Sequence, residues 1–221
     1  MQAPLLYEKK GQRLWLTADR SVFWETEDAL IVSDLHVGKT GHFRKEGIGM
    51  PQALFREDLQ RLFCLVQHFQ PRHLVIVGDL FHSRENREMD LFRKWRNSFP
   101  SVHFHLVKGN HDILDNHWYE EAGLSVYEET FMLNGFCFIH DIMEAAGRSV
   151  PGASYFFSGH LHPGIRIHGL GKQSLRFPCF YFCDTYAVLP AFSRFTGAAL
   201  IDPEKTDSVF AIVENKIIRM Q

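Results

Sequence analysis

Five apolar runs in this chain each end on side chains that can bind a metal ion, and no other feature restricts the fold as much. Ala29–Ser33 leads into Asp34-Leu35-His36, and His73–Val77 into Gly78-Asp79. Val102–Val107 ends at Gly109-Asn110-His111-Asp112, Phe136–Ile139 at His140, and Tyr155–Phe157 at Ser158-Gly159-His160-Leu161-His162. In α/β sheets the carboxyl ends of the strands gather chemical side chains onto one rim. Taken singly, each group has an ordinary reading. Asp34 or Asp79 would be a turn residue, Asn110 a loop residue, and His140 a hydrogen-bonded strand-end histidine. Coincidence would have to place all five groups after strands, so the series is read as one site.

The spacing within the pairs suggests how they converge. Side chains two apart on an extended backbone point the same way, so Asp34 with His36, and His160 with His162, are expected to reach one site. Carboxylate oxygen, amide oxygen and imidazole nitrogen together suit intermediate transition metals.

The intervening segments predict an α/β fold. Leu14–Thr17 and Val22–Trp24 read as short strands before Ala29–Ser33, with a turn at 25–28. Phe55, Leu59, Leu62, Val66 and Phe69 recur at helical spacing behind Pro51, while Arg56, Glu57, Gln60, Arg61 and Gln67 fall elsewhere on that helix. Further helices are expected over Glu88–Arg96 and Asn116–Ala122, giving parallel strands joined by crossovers. Ser125–Leu133 and Phe136–Ile139 flank Asn134-Gly135, a strong hairpin signal. Gly164–His168, Phe180–Cys183 and Tyr186–Leu189 follow as strands, and Val209–Val213 with Lys216–Met220 as a terminal hairpin. A single domain over residues 1–221, a sandwich of two sheets with outer helices, is the expected organisation.

Composition excludes little but narrows the setting. The formal net charge is −2, which argues against a wholly basic nucleic-acid-binding surface and leaves room for a local basic rim. Lys39, Arg44 and Lys45 follow one motif, and Arg84, Arg87, Arg93, Lys94 and Arg96 another; a solvated charged face is their first reading, a phosphate-binding rim the second. Cys64, Cys137, Cys179 and Cys183 form no CxxC pair and are read as free buried thiols, with a Cys179–Cys183 zinc site the weaker alternative. Neither a signal peptide nor a membrane span is expected, which suggests the cytoplasm. Gly38-Lys39-Thr40 lacks the glycine spacing of a P-loop, and neither a Gly-x-Ser-x-Gly elbow nor a GxGxxG fingerprint occurs.

The ordered series Asp34-x-His36, Gly78-Asp79, Gly109-Asn110-His111-Asp112, His140 and Gly159-His160-x-His162 resembles that of the calcineurin-like metallophosphoesterase superfamily. The resemblance implies a four-layer α/β/β/α sandwich around a dinuclear metal centre. It assigns Asp34, His36 and His162 to one ion and Asn110, His140 and His160 to the other, with Asp79 between them. It also implies that His111 faces the substrate, that Asp112 orients it, and that a hydroxide bridging the ions attacks phosphorus. Manganese is the first expectation for the metal, with iron, zinc or nickel as alternatives.

A narrower resemblance, to bacterial ligase-associated metallophosphoesterases of DNA damage response operons, rests on Asp34-Leu35-His36-Val37-Gly38-Lys39, Gly47-Ile48-Gly49-Met50-Pro51 and Leu189-Pro190-Ala191-Phe192-x-x-Phe195-Thr196-Gly197. It implies a DNA-processing endonuclease with DNA as substrate and ligase-associated repair proteins as partners. The competing readings are a hydrolase of small nucleotides or phosphorylated metabolites, and an interaction scaffold without activity. Phe192 and Phe195 are weighed as part of a homodimer or partner surface against core packing. His140-Asp141 departs from the superfamily's frequent His-Gly, and the segment after Asp79 lacks the protein-phosphatase extension.

Overall fold

Continuous apolar runs make strands that are buried on both faces. The computed structural model describes residues 2–37, 53–81, 87–145, 150–169 and 174–221. Its first sheet is built from β1 (Leu5–Lys9), β2 (Gln12–Thr17), β3 (Ser21–Trp24), β4 (Ala29–Ser33), β5 (His73–Val77), β6 (His103–Val107) and β7 (Leu124–Tyr127), side by side in chain order. Strands β1 to β4 pair antiparallel through tight turns, and β4 to β7 pair parallel, with Ile31 opposite Val75 and Val75 opposite His105. The crossovers carry α1 (Ala53–Phe69), α2 (Arg87–Arg96) and α3 (Asn116–Glu121).

Alternation along the central strands separates two cores. Leu30, Val32, Leu74, Ile76, Phe104 and Leu106 pack with Leu62, Leu65 and Val66 of α1 and with residues of α2 and α3. Ala29, Ile31, Val75, Val77 and Val107 face the second sheet. That sheet contains β8 (Thr130–Leu133), β9 (Phe136–Ile139), β10 (Tyr155–Ser158), β11 (Pro163–His168), β12 (Ser174–Phe182), β13 (Tyr186–Val188), β14 (Ala199–Leu200), β15 (Ser208–Val213) and β16 (Lys216–Arg219). Its inner face is aromatic: Phe136, Phe138, Phe157, Phe180, Phe182 and Phe210 fill the space between the sheets, and Phe136 stacks on Trp24 at 4.4 Å. On the side of the second sheet, the helix among the described residues is the single turn α4 (Ile142–Ala145), against β10. The layers are those of the expected α/β/β/α sandwich. No helix among the described residues is long and apolar enough to cross a membrane.

Strands β1 and β14 were not among those expected, and two further segments differ from the sequence reading for identifiable reasons. Ser125–Leu133 is not one strand: it divides at Glu128-Glu129, so β7 extends the first sheet while β8 begins the second. Glu128 there bonds Asn116 and Lys108, which ends the strand in polar contacts. The expected Phe180–Cys183 strand is the second half of β12. Its first half pairs with β11 and its second with β13 and β15, and Pro178 stands where the partners change. Proline tolerates that position because ladder pairing is interrupted there. The Asn134-Gly135 hairpin forms as expected, both residues at positive φ between β8 and β9.

Of the four thiols, Cys137 and Cys179 are buried, but Cys64 is exposed on α1 and Cys183 is partly so.

Candidate metal centre

The ends of β4, β5, β6, β9 and β10 meet at one rim, as the sequence series requires. Beyond the strands the chains stay paired: Asp34 N bonds Gly78 O, His36 N bonds Asp79 O, and Val37 N bonds Leu80 O. The backbone along this extension is not the extended one read from the spacing. Asp34, His36, Asp79, His160 and His162 all have positive φ, between 48° and 61°. Non-glycine residues seldom adopt this conformation, and clusters of it mark functional sites held by their surroundings. Asp34 and His36 share one candidate ligand group, while His160 and His162 turn to different groups, the division that the family resemblance implies.

One group comprises Asp34, His36 and His162. Nε2 of His162 lies 3.2 Å from Oδ1 of Asp34 and 3.4 Å from Nε2 of His36. The other comprises Asp79, His140 and His160, with Asn110 beside them. Here Nε2 of His140 stands 3.1 Å from Oδ1 of Asn110, 3.1 Å from Nδ1 of His160 and 3.5 Å from Oδ1 of Asp79. Oδ2 of Asp79 turns the other way, 3.9 Å from Nδ1 of His36. The two carboxylate oxygens therefore face one group each.

The donor set fits cations. A single imidazole N–H on His140 can serve only one of the three lone-pair atoms around it, whereas a metal ion can satisfy all four together. Asp34, His36, Asp79 and His140 are all buried, where such a concentration of lone pairs is costly without a counter-charge.

Glycine makes the convergence sterically feasible. A Cβ on Gly78 would overlap the His140 ring, one on Gly109 would overlap the Asp79 carboxylate, and one on Gly159 would lie 2.5 Å from Oδ2 of Asp34. Each glycine beside a ligand thus makes room for a ligand from another strand.

His111 and Asp112 occupy contrasting positions. The His111 side chain is 39% exposed, its backbone N–H donates to Oδ1 of Asp79 at 3.0 Å, and its Nε2 lies 4.0 Å from Oδ2. Asp112 is buried and accepts from the N–H groups of Leu80, Phe81 and Gly109 at 2.9–3.2 Å and from the Tyr119 hydroxyl at 3.4 Å. Burial pushes its carboxyl up to about 7; the amides of Gly109 and Phe81 oppose that shift and the nearby charge of Asp79 adds to it. Its acceptor capacity is thus directed to the backbone of the loop that carries Asp79 and to Gly109 of the 109–112 turn.

Several supporting residues were not legible. Asp141, noted only as a departure from His-Gly, caps the N–H of Met143 and sets a carboxylate oxygen 3.9 Å from Nε2 of His160. Leu189–Ser193 runs against the Asp34 strand, with Phe192 N bonded to Ser33 O and Ser193 N to Asp34 O. Arg20 holds this segment through Ala191 O and Ser193 O, and Arg61 through Phe192 O. Arg61, assigned by periodicity to the helix surface, lies instead over the Phe192 ring at 4.3 Å and pairs with Asp58. Phe192 is buried and so lies outside any partner surface, while Phe195 is 42% exposed.

Arg93 and Arg96 serve packing rather than a phosphate rim, over Trp118 and Phe104 respectively, with Arg93 paired to Glu121 and Arg96 bonded to Gly123 O. Lys39, Arg44, Lys45, His82, Arg84 and the Gly47–Pro51 motif lie outside the described residues.

This arrangement has a family. The model for calcineurin-like phosphoesterases matches residues 29–173, well over half of the chain, and the chain belongs to that family as a metal-dependent phosphoesterase. Among solved structures it is similar to the nuclease MPE of Pseudomonas putida, with 26% identity and a TM-score of 0.80 over 97% of this chain and 100% of that one. It also matches Yfce, a phosphoesterase from E. coli, at 14% identity and a TM-score of 0.43 over 86% of this chain and 96% of that one. No curated protein matches the chain.

Proposed function

We propose that the protein hydrolyses phosphodiester bonds in nucleic acid, acting on DNA as an endonuclease of the cytoplasm, with two divalent ions held by the paired ligand groups. The observation that carries this reading is Asp79, whose two oxygens face the two groups while its Oδ1 accepts the N–H of His111. Similarity along nearly the whole chain to a protein described as a nuclease supports nucleic acid over other phosphate esters.

In this reading Asp34, His36 and His162 hold one ion, Asn110, His140 and His160 the other, and Asp79 both. Bound ions supply Lewis acidity, polarising phosphoryl oxygens and lowering the pKa of water; the mixed oxygen and nitrogen donors suit intermediate transition metals, with manganese the first candidate and iron, zinc and nickel next. The protein contributes position and charge. His111, anchored at its N–H and open to solvent at its ring, donates a hydrogen bond to a phosphoryl or leaving oxygen. Asp112 fixes the two loops that carry Asp79 and His111. A scaffold without activity would have no use for this half-exposed histidine beside two complete ligand groups.

The test is turnover by metal-reconstituted protein on bis-aryl phosphodiester, aryl phosphomonoester, cyclic nucleotides and defined DNA. Diester and DNA cleavage, lost in Asp79→Asn, is the expected result. Turnover of monoesters or cyclic nucleotides without DNA cleavage would replace the nuclease reading by a small-molecule one.

A further inference from the structure

A cavity borders each ligand group, and the two differ in charge. The one of about 350 Å³ beside Asn110, His140 and His160 is also lined by Lys108, Glu128, Asp141 and Glu144, so carboxylates outnumber its single lysine. The one of about 310 Å³ beside His162 is lined by Arg20 and Arg176 with Thr196, Gly197 and Ala198, and by no carboxylate among the described residues. A third cavity adjoins it at Arg20 and Pro178 and is lined further on by Arg194 and one carboxylate, Glu214, so two arginines outnumber the single acid there. An anionic chain seated at the metal centre is therefore repelled on the His140 side and attracted on the His162 side.

The two arginines suit a phosphate in different ways. Nη1 of Arg20 is fixed by Ala191 O at 3.0 Å and Ser193 O at 2.7 Å, so the guanidinium is held in place before any ligand arrives. Its Nε and Nη2 carry no hydrogen bond among the described residues. Arg176 is exposed on β12, and no carboxylate among the described residues pairs with it. A preorganised guanidinium costs less entropy to engage than a free one, and arginine forks match phosphate oxygens.

We propose that the Arg20–Arg176 cavity is a second phosphate site. It holds the backbone phosphate next to the one at the metal centre, so that a nucleic-acid strand leaves the site past His162. The inference rests on the nucleic-acid reading given above and adds the direction of the strand. It also gives a use to the Leu189–Gly197 motif, which fixes Arg20 at one end and lines the cavity with Thr196 and Gly197 at the other.

Arg166 provides a charge-matched control, since it lies directly opposite Arg176 on β11, is exposed, and does not line the cavity. The experiment measures binding of a fluorescent single-stranded phosphorothioate oligonucleotide, chosen because it resists hydrolysis, to the metal-loaded full chain over a range of salt. Arg176→Gln is expected to weaken binding about fivefold and to lower the salt slope by about 0.7, the share of one phosphate contact. Arg166→Gln should lose less than half as much. Equal losses in the two variants, no loss in Arg176→Gln, or no binding by the wild type would overturn the proposal. Cleavage of defined DNA by the metal-loaded wild type reports on the preceding reading, so cleavage together with equal losses in the two variants overturns the second phosphate site alone.

Discussion

The side chain that Gly78 lacks would occupy the space taken by the His140 ring. Gly78 also has a φ of 78°, so both geometry and sterics demand glycine. Gly78→Ala should displace His140, lower metal affinity at its group at least tenfold, and reduce stability by about 1–2 kcal/mol through the positive φ. Metal titration and thermal unfolding of the variant measure the two effects separately.

Asp112 and His111 are adjacent but should fail differently. Asp112→Asn removes one acceptor oxygen from a buried cluster of four donors, so a loss of about 2–3 kcal/mol in unfolding free energy is expected. Metal content should fall with it, because the Asp79 loop loses its support.

His111→Gln, at a half-exposed position, should change stability by less than about 0.5 kcal/mol and leave metal content intact. Its kcat should drop about 10²–10⁴-fold, the usual range for a lost proton donor. Activity near that of the wild type would remove His111 from the chemistry.

A histidine cluster away from the metal centre makes stability depend on pH. His105 is buried between β5 and β7, its Nε2 3.0 Å from Nδ1 of His73 and its Nδ1 3.2 Å from the Tyr127 hydroxyl, with its ring stacked on Phe131. Burial first, then His73 and His103, lower it from 6.5 to about 4; His73 is lowered by burial, His103 and Arg72 against the pull of Glu27 and Asp28. The unfolded chain binds protons here more readily than the folded one, so stability is complete above pH 6.5 and falls as pH drops from there towards 4. The loss attributable to His105 is on the order of 2–3 kcal/mol. Between pH 6.5 and 4 the unfolding free energy of the wild type should fall relative to that of His105→Phe, which keeps the stack; the raised Asp112 carboxyl gives both proteins the opposite slope and drops out of the comparison.

The strands and the candidate ligands at their ends were legible because both leave local marks. Runs such as Leu74–Val77 are apolar without interruption, and His140 or Asp79 follows at once. What stayed hidden depends on distant partners. Nothing in Asp34-Leu35-His36 announces a left-handed backbone, which exists because the loop is clamped to Gly78–Leu80 and to Leu189–Ser193. Arg61 looked solvent-facing by helical period, and only the remote Phe192 segment buries it. Glu128-Glu129 divided two strands that hydropathy alone had joined.

In the proposed function Asp79 joins two metal ions into one catalytic centre. Elemental analysis of reconstituted protein, read beside bis-aryl diester turnover, measures that role. Two ions per wild-type chain are expected, and in Asp79→Asn at most one together with a loss of turnover of at least about 10²-fold. Two ions and undiminished turnover in that variant would contradict it.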